Sequence, residues 1–519
     1  MDSINQIGIH ALEKLDGKNY LHFDFPLTEN EREQLVSDFS SGNIIHHRYL
    51  PFISFEIRFH IYHTAKRAES KSRKITLPSH HDALVYRYYG KVLNRLYSNY
   101  AIEQNFNEVA VAYREPQPSK PLSNITTAKE VFDYVTRFPK SWIIKGDFHH
   151  FFDNLNHQHL KENLHKVFGR DLPNDWKKMF RSITQYQSIS RKTLERQLHV
   201  AQVKIAYRSQ QSEGSRTRAY VNDLRELGEL IKNKKIRLSG KNRVGIPQGT
   251  AVSAVLANVY MVDFDEWLAK CCKEFGGLYR RYSDDFILVL PQNQLSKASV
   301  RNFEAEIIER SQDILHLEIE PTKTKLYSYE QDRHAVILLS NDEMGRQKPG
   351  KVDYLGFIFD GVSISMRPKS IYKFVYRGRR KVGKYITLLR LRSKVKAGFS
   401  DSDIIQNQVV LRYVTHFGIT KKDYVSPSLS SVIQSLRSLQ QIKEMKPETL
   451  QGIHKGITIR YLSTEVKKPR SSMLGYALRA QHTFDVDKPK YRVVIRRQVL
   501  RQIKRNQRKL HQGREKYNS

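Results

Sequence analysis

Short apolar runs in the middle of the chain predict a β-hairpin with carboxylates at its bend. Leu278–Arg281 and Phe286–Leu290 flank Tyr282-Ser283-Asp284-Asp285, which is the spacing of two strands joined by a tight turn. A third apolar run, Trp142-Ile143-Ile144, predicts a strand that ends in Lys145-Gly146-Asp147. Asp147, Asp284 and Asp285 are therefore expected at strand ends.

Helices are predicted before and after these strands. A turn is predicted at Gly245–Gly249, and behind it four apolar residues recur at i, i+3, i+4 and i+7, as on one helical face. They are Val252, Val255, Leu256 and Val259. Further helices are expected over about residues 81–100, from about residue 156 and over residues 296–315, with a long polar helical insertion at about 170–243. Helices and strands mixed in this order predict an α+β fold, a sheet packed on helices.

The helix expected at residues 81–100 is rich in tyrosine. Its tyrosines are Tyr86, Tyr88, Tyr89, Tyr97 and Tyr100. Arg87, Lys91 and Arg95 lie among them, a mixture that would suit base stacking. Packing of the rings into the core is the favoured interpretation.

The net charge and its distribution along the chain indicate the kind of partner that the protein binds. The net charge is +35, which indicates a polyanionic partner, with nucleic acid ahead of an anionic membrane surface. The cations are segregated: twelve Lys or Arg and no acid lie between Asp360 and Asp401, and fourteen basic residues face three acidic ones from Arg470 onward. A basic helix with Ile495, Val499 and Ile503 on one side is predicted at residues 490–510, suited to phosphate contacts.

Other features indicate a cytoplasmic protein without a membrane anchor. No apolar run approaches the roughly 18 residues of a membrane span, and the start Met1-Asp2-Ser3 lacks the order of a signal peptide. The only cysteines, Cys271 and Cys272, are adjacent, which excludes a disulfide framework and a zinc cluster built on thiolates. The histidine pairs at 46–47, 80–81 and 149–150 are interpreted as structural or phosphate-facing.

The three aspartates suggest metal chemistry. Adjacent carboxylates repel each other, and a cation relieves that repulsion. Oxygen-only ligands favour Mg²⁺, with Mn²⁺ as the alternative, over zinc. Two such ions about 4 Å apart can activate a 3′-hydroxyl and stabilise a leaving pyrophosphate. An Asp-Asp pair alone is more often a turn or a helix cap, so the surrounding motifs decide the interpretation.

Those motifs resemble the palm motifs of reverse transcriptases, in the family's order, over roughly residues 70–395. Motif A is matched by Lys145–Phe152, motif B by Gly245–Asn258 and motif C by Tyr282–Asp285. Motif D is matched by Glu320–Lys325 and motif E, the primer grip, by Tyr354-Leu355-Gly356-Phe357. Upstream, Ala112-Tyr113-Arg114 resembles the fingers motif. The resemblance implies a right-hand polymerase fold of fingers, palm and helical thumb, with a basic, mainly α-helical C-terminal extension.

The resemblance also implies roles for single residues. Asp147, Asp284 and Asp285 would hold two metal ions, and Phe148 would add its backbone carbonyl. Tyr354, Leu355 and Gly356 would grip the primer and template.

Four further residues would bind the incoming nucleotide. Phe152 matches the aromatic steric gate that selects dNTPs by crowding a 2′-hydroxyl. Gln248 would lie against the nucleotide, and Lys323, in preference to Lys325, would neutralise or protonate the pyrophosphate. Arg114, with Arg73 or Lys74, would hold the triphosphate.

The implied domains are an N-terminal region with fingers at 1–140, a palm at 141–360 and the start of a basic helical thumb at 361–400. Residues 401–519 would bind RNA or form oligomer contacts, so a homo-oligomer is one expectation. No Val-Thr-Gly retron signature, maturase, HNH nuclease, ribonuclease H or integrase motif is evident. The chain therefore most resembles the bacterial, defence-associated "unknown group" of reverse transcriptases, which act with a noncoding RNA against phage.

The predicted function is RNA-directed DNA polymerase activity that makes cDNA from dNTPs, with a structured noncoding RNA as the template. Three alternatives stay open. One is untemplated or protein-primed DNA synthesis of the abortive-infection type. Another is an RNA-dependent RNA polymerase, which Phe152 argues against. The third is a palm-derived RNA-binding scaffold without catalysis, which the three retained carboxylates argue against.

Overall fold

The computed structural model describes residues 2–13, 20–63, 66–114, 123–198, 206–207, 218–320, 323–339, 347–405, 439–466, 472–487 and 489–517. The chain forms two compact units. The first comprises Met1–Leu122, Lys140–Ser328 and Leu339–Arg346, and the second comprises Ser123–Pro139, Tyr329–Leu338 and Gln347–Ser519. The predicted boundaries at 140, 360 and 400 stay a prediction.

The helices in the described residues follow in chain order. They are α1 (Asp2–Glu13), α2 (Glu29–Ser41), α3 (His80–Glu103), α4 (Asn124–Arg137), α5 (Phe151–Asn154), α6 (His157–Phe168), α7 (Asn174–Thr184), α8 (Arg191–Gln197), α9 (Leu224–Lys232), α10 (Ala251–Tyr260), α11 (Val262–Glu274), α12 (Lys297–Leu315), α13 (Pro368–Lys396), α14 (Asp401–Ile405), α15 (Pro447–Ile457), α16 (Met473–Asp485) and α17 (Ile495–Tyr517). A 3₁₀ turn at Asn43–His46 and a π turn at Thr458–Leu462 complete the set.

The strands in the described residues are fewer and mostly shorter. They are β1 (Phe52–His63), β2 (Lys66–Leu77), β3 (Lys140–Asp147), β4 (Ser188–Ser190), β5 (Ala206–Tyr207), β6 (Arg218–Ala219), β7 (Leu278–Tyr282), β8 (Asp285–Pro291), β9 (Lys325–Glu330), β10 (Ala335–Leu339), β11 (Gln347–Pro349), β12 (Val352–Tyr354), β13 (Phe357–Phe359), β14 (Ser363–Met366) and β15 (Arg492–Val493). This mixture of helix and sheet confirms the predicted α+β class.

In the first unit, β3 lies between β8 and β9, and β7 pairs with β8. The hairpin predicted around Tyr282–Asp285 is confirmed, since β7 and β8 pair antiparallel up to Tyr282 opposite Asp285. Strand β3 also pairs antiparallel with β8, and Asp147 lies opposite Asp285. The helix predicted behind residues 245–249 is α10, where Thr250 caps the N-terminus by accepting a hydrogen bond from the Ser253 amide. Its four predicted apolar residues are buried.

A second feature of this unit is the long hairpin of β1 and β2, which the sequence pattern did not predict. The two strands pair antiparallel from Ile53 opposite Leu77, and β4 adds to β1 in parallel. Beneath it lies an apolar cluster. Its buried members are Phe23, Ile53, Ile189, Leu194, Tyr220, Val221, Leu227 and Ile236. The predicted insertion at 170–243 thus contributes to this core through α8 and α9, while most of its loop near 209–218 lies outside the described residues.

Helix α3 confirms the packing role of its tyrosines. Tyr86, Tyr88, Tyr89 and Tyr97 are buried, and Tyr100 is half-buried. The ring of Tyr88 stacks on Phe39 with 3.7 Å between centroids. Since buried rings cannot stack on a base, core packing is the role these tyrosines have.

The second unit contains a small sheet in the order β12-β13-β14-β15 and a pair of long helices, α13 and α17. Ile495, Val499 and Ile503 of α17 are buried, as the helical pattern predicted. The helices approach closely at Gly378, where an added Cβ atom would meet the Asn506 side chain at 2.5 Å. Of the predicted C-terminal region at 401–519, residues 406–438, 467–471, 488 and 518–519 lie outside the described residues.

Candidate active site

A buried ion pair supports the bend between β7 and β8. The Arg281 and Asp265 side chains are both fully buried, and Arg281 Nη2 lies 2.6 Å from Asp265 Oδ2. From this anchored position, Arg281 Nη1 donates a hydrogen bond of 2.9 Å to the Ser283 carbonyl. Ser283 has a φ of +61°, in the left-handed region that non-glycine residues rarely adopt. The guanidinium therefore stabilises the bend that presents Asp284 and Asp285.

Sequence reasoning missed Arg281 and Asp265. A signal was present, because Arg281 is a charged residue in the apolar arm of a predicted strand and so needs a buried partner. The partner was not visible, since Asp265 lies on α11, sixteen positions earlier. Tyr279 completes the cluster by donating its hydroxyl to Asp265 at 2.8 Å.

The three predicted carboxylates lie together at this end of the sheet. Asp147 and Asp285 face each other across β3 and β8. The Phe148 amide donates to the Asp284 carbonyl at 3.1 Å, which joins the end of β3 to the bend. Burial raises the pKa of Asp284 to about 6, and repulsion by Asp147 and Asp285 adds to the increase. The three carboxylates are therefore close enough for their negative charges to repel one another.

Two lysines offset that charge. Lys145 Nζ lies 3.0 Å from Asp285 Oδ1, and Lys323 forms an ion pair with Asp147. Burial lowers the pKa of Lys323, but the hydrogen bond and charge of Asp147 outweigh this and raise it. Of the two motif D lysines, the structure places Lys323 at the carboxylates, whereas Lys325 begins β9 with its side chain exposed.

The donor set fits divalent metal ions by its chemistry. It offers several carboxylate oxygens, the ligands that hard divalent cations prefer, and a cation would relieve the repulsion between their like charges. In the described part of the chain, no three His, Cys, Asp or Glu side chains converge as a preformed metal cage. Asp147 forms an ion pair with Lys323, and Asp285 forms one with Lys145.

Beside the carboxylates, two turns are locked together. Phe152 is half-buried in α5, and its carbonyl accepts a 2.9 Å hydrogen bond from the Ile246 amide. Gly245 has a φ of +76°, and an added Cβ would lie 2.4 Å from the Asp153 carbonyl oxygen. Only glycine fits this approach. The backbone of Phe152, the predicted steric gate, is thus fixed relative to the turn that carries Gln248, the residue predicted to lie against the nucleotide.

Gln248 is connected to the β1–β2 hairpin through its backbone. Its carbonyl accepts hydrogen bonds from the amide of Thr76 at 2.8 Å and from the Thr76 hydroxyl at 3.0 Å. Gly249 permits this approach, since a Cβ there would lie 2.2 Å from the Thr76 carbonyl oxygen. The Gln248 side chain is half-buried and is not used in these bonds.

Arg114 is placed differently from the prediction that it holds the triphosphate. Its guanidinium donates to the Asn107 side chain at 2.6 Å and to the Ser98 hydroxyl at 2.9 Å, and it lies over the Tyr97 ring at 5.2 Å. A cation bonded in this way supports the fold. Arg73, the alternative triphosphate ligand, is exposed on β2, and its charge partly offsets the rise in the pKa of Asp284.

The predicted primer-grip residues lie in the second unit. Tyr354 ends β12 and is fully buried, and Leu355 and Gly356 form the two-residue turn to β13. Both turn residues have positive φ, +47° and +93°. That geometry suits a tight hairpin and is strained for leucine.

The profile of the family described as reverse transcriptase (RNA-dependent DNA polymerase) matches residues 85–359, more than half of the chain. This chain is a member of the reverse transcriptase family. The match covers every palm motif identified above and supports RNA-directed DNA polymerase activity. No curated protein is detectably similar to the chain in sequence.

Solved structures of telomerases align with the chain at low sequence identity. Apo telomerase from Candida tropicalis aligns at 13% identity and a TM-score of 0.35, covering 99% of this chain and 70% of that one. Telomerase from Candida albicans, solved with a fragment of telomeric RNA, aligns at 14% identity and 0.33, covering 88% and 70%. This reverse transcriptase spans 61% of a C-terminally truncated C. tropicalis telomerase, at 12% identity and 0.34. Among the described helices, none is long and apolar enough to cross a bilayer.

Proposed function

We propose that this reverse transcriptase extends a DNA strand by two-metal nucleotidyl transfer at Asp147, Asp284 and Asp285. The observation that supports this is the meeting of the three carboxylates at the ends of β3 and β8, with the pKa of Asp284 raised to about 6 by burial and by its neighbours. Carboxylates held this close are costly unless a cation relieves them. A catalytic role explains the arrangement better than an RNA-binding scaffold, which needs no such cluster.

The metal-binding residues would be these three aspartates and the Phe148 backbone carbonyl, and the ions Mg²⁺ or Mn²⁺. Such ions, when bound, lower the pKa of an attacking hydroxyl and stabilise charge on the leaving pyrophosphate. The remaining roles belong to the protein. Lys145 and Lys323 neutralise Asp285 and Asp147 in ion pairs, and Lys323 would neutralise or protonate the pyrophosphate.

Nucleotide selection would use the locked turns beside the carboxylates. Phe152 would exclude a 2′-hydroxyl, and the Gln248 side chain would contact the nucleotide. The exposed Arg73 is better placed than Arg114 to hold the triphosphate, because Arg114 is bonded to Asn107 and Ser98. Tyr354, Leu355 and Gly356 would position the primer, with the strained turn at Leu355 as support.

The metal assignment is tested by Asp284→Asn with Asp285→Asn. Loss of metal stabilisation worth several kcal/mol is expected to lower dNTP incorporation by roughly 10³-fold or more. Primer extension on a defined RNA template with Mg²⁺ measures this. Asp332→Asn, an exposed aspartate in a turn, is the matched control and should retain full activity. Extension by the double variant at the control's rate would exclude these carboxylates.

We further propose that the template is a structured noncoding RNA and that the enzyme serves antiphage defence in bacteria. The large basic excess, +35 overall, and the cation-rich C-terminal region support an RNA partner beyond a short template. Sequencing the nucleic acids that copurify with the Asp284→Asn/Asp285→Asn protein would identify it. A single enriched transcript is expected, whereas RNA in proportion to cellular abundance would contradict a dedicated partner.

A further inference from the structure

Two tyrosines on helix α13 are exposed, unlike most tyrosines of the described residues. The Tyr372 side chain is 62% exposed and that of Tyr376 is 46% exposed. They lie four residues apart on one helical face, with ring centroids 6.2 Å apart and planes inclined by 21°. Two large aromatic faces presented side by side to solvent suit a flat ligand.

These rings border a cavity of about 500 Å³ between α13 and α17. Its floor is apolar and includes Met366, Ile371 and Val375. Its rim carries Arg379 from α13 and Arg501 from α17. The cavity therefore combines aromatic faces, an apolar floor and fixed positive charge within one unit of the chain.

Arg501 also lines a second cavity, of about 840 Å³, along a neighbouring face of α17. Six cations line it. They are Arg496, Arg497, Arg501, Lys504, Arg505 and Arg508. Within the described residues none of the six has a carboxylate ion-pair partner, and the single acid in the lining, Asp485, accepts a hydrogen bond from Gln481 at 2.8 Å. Like charges four positions apart, such as Arg497, Arg501 and Arg505, destabilise a helix unless an anion neutralises them.

We propose that this surface binds an unpaired stretch of nucleic acid, with bases stacked on Tyr372 and Tyr376 and phosphates along the six cations of α17. An unpaired strand fits better than a duplex, because only unstacked bases expose the faces that tyrosine rings can cover. A polyanionic strand explains both cavities at once, since Arg501 lines each of them.

The chemistry also argues against a lipid surface. The cations line a concave cavity, whereas a membrane requires an apolar face presented on a convex one. The inference rests on the proposed function only for the expectation that the strand is part of the RNA partner. Binding itself can be measured without dNTPs or metal ions, so it is independent of catalysis.

Fluorescence anisotropy of the full-length protein with labelled 15-nucleotide oligo(U), oligo(dT) and a hairpin duplex tests the proposal. Tyr372→Ala with Tyr376→Ala is expected to weaken binding of oligo(U) by about 10- to 100-fold, the range of lost base stacking. Binding of the duplex should change by less than about threefold. Tyr372→Phe with Tyr376→Phe should restore wild-type affinity, because the ring and not the hydroxyl is required. Comparison of oligo(U) with oligo(dT) shows whether the strand is RNA or DNA.

Phe399→Ala is the matched control, since Phe399 is 51% exposed in the same unit but lies outside both cavities. An equal loss in this variant, an equal loss of duplex binding, or no loss in the double alanine variant would each overturn the proposal. A protein that binds oligo(U) through these tyrosines but extends no primer would contradict the proposed function and leave this site intact.

Discussion

Phe152 is the residue whose side chain should separate dNTPs from ribonucleotides. It is half-buried beside the buried Phe151 ring, and its backbone is fixed by Ile246, so the ring has a defined position. Phe152→Ala is expected to lower the preference for dNTPs, measured as a ratio of kcat/KM values, by about 10- to 100-fold. Phe152→Tyr keeps the bulk and should keep the preference. An unchanged ratio in Phe152→Ala would place the gate elsewhere.

His22 makes the first unit sensitive to acid. The ring is fully buried and lies 3.2 Å from the Leu77 carbonyl through Nε2. Burial lowers its pKa to about 4, although the charge of Asp24 opposes the shift. The unfolded chain binds a proton near pH 6.5 and the folded one does not, so stability falls as pH drops from about 6.5 towards about 4.

The size of this effect can be measured with His22→Gln, which keeps a donor for Leu77 but does not titrate. Between pH 7 and pH 5.5 the wild type is expected to lose about 1.2 kcal/mol more unfolding free energy than the variant. All three tryptophans, Trp142, Trp176 and Trp267, lie in the first unit, so their fluorescence during urea unfolding reports it. Parallel pH profiles of the two proteins would contradict a neutral buried histidine.

At the residue scale, the sequence predicts which residues belong to the catalytic motifs better than it predicts which partners each side chain contacts. Asp147, Asp284, Asp285 and Lys323 were predicted by motif and do lie together. Arg114 was predicted as a phosphate ligand but is bonded to Asn107 and Ser98. The aspartates, Lys323 and Arg114 are all charged residues within family motifs. Only the fold shows whether the charge faces the site or a protein partner.

At the scale of elements, the β7–β8 hairpin depends on a buried pair. Removing one member of such a pair leaves an unpaired buried charge and costs about 3–5 kcal/mol. Arg281→Met and Asp265→Leu are each expected to destabilise the first unit by this amount, measured by tryptophan fluorescence in urea. The combined variant should be more stable than either single one, because no charge is left unpaired.

Function should not recover with stability. The combined variant lacks the Arg281 donor to the Ser283 carbonyl, so the bend at φ +61° loses its support. We expect kcat for primer extension to fall by about tenfold or more while KM for dNTP changes little, as for a loss of positioning. Wild-type kcat in the combined variant would limit Arg281 to a structural role.

Strongly patterned elements were predictable and weakly patterned ones were not. Strand β3, the β7–β8 hairpin and helix α10 follow apolar runs with clear periods, and the structure has them. Strand β2 reads Lys-Arg-Ala-Glu-Ser-Lys-Ser-Arg-Lys before Ile75, with neither alternation nor β-branched residues. Strand β2 forms because it pairs with β1, and the local sequence pattern of β2 cannot show that pairing.

At the scale of the whole molecule, the sequence could not show which segments share a unit. Helix α4 lies between two segments of the first unit in the chain but belongs to the second. There Phe132 packs on Phe359 and Phe484, with ring centroids 5.6 Å and 6.4 Å apart, and Tyr491 donates to Asp133. These partners are hundreds of residues apart, so only the folded chain reveals them.

Charge is the property of the whole molecule that the sequence does show, and its distribution makes a quantitative prediction. For single-stranded nucleic acid, the slope of log K against log salt is about −0.7 for each phosphate neutralised. Arg497→Gln, Arg501→Gln and Arg505→Gln together should therefore make the slope for oligo(U) shallower by about 2. The same change in charge at Lys232, Lys234 and Lys235, exposed residues of the first unit, is the matched control. If only total charge mattered, both triple variants would shift equally, whereas a strand bound along α17 requires the α17 variant to shift and the control to stay near the wild-type slope.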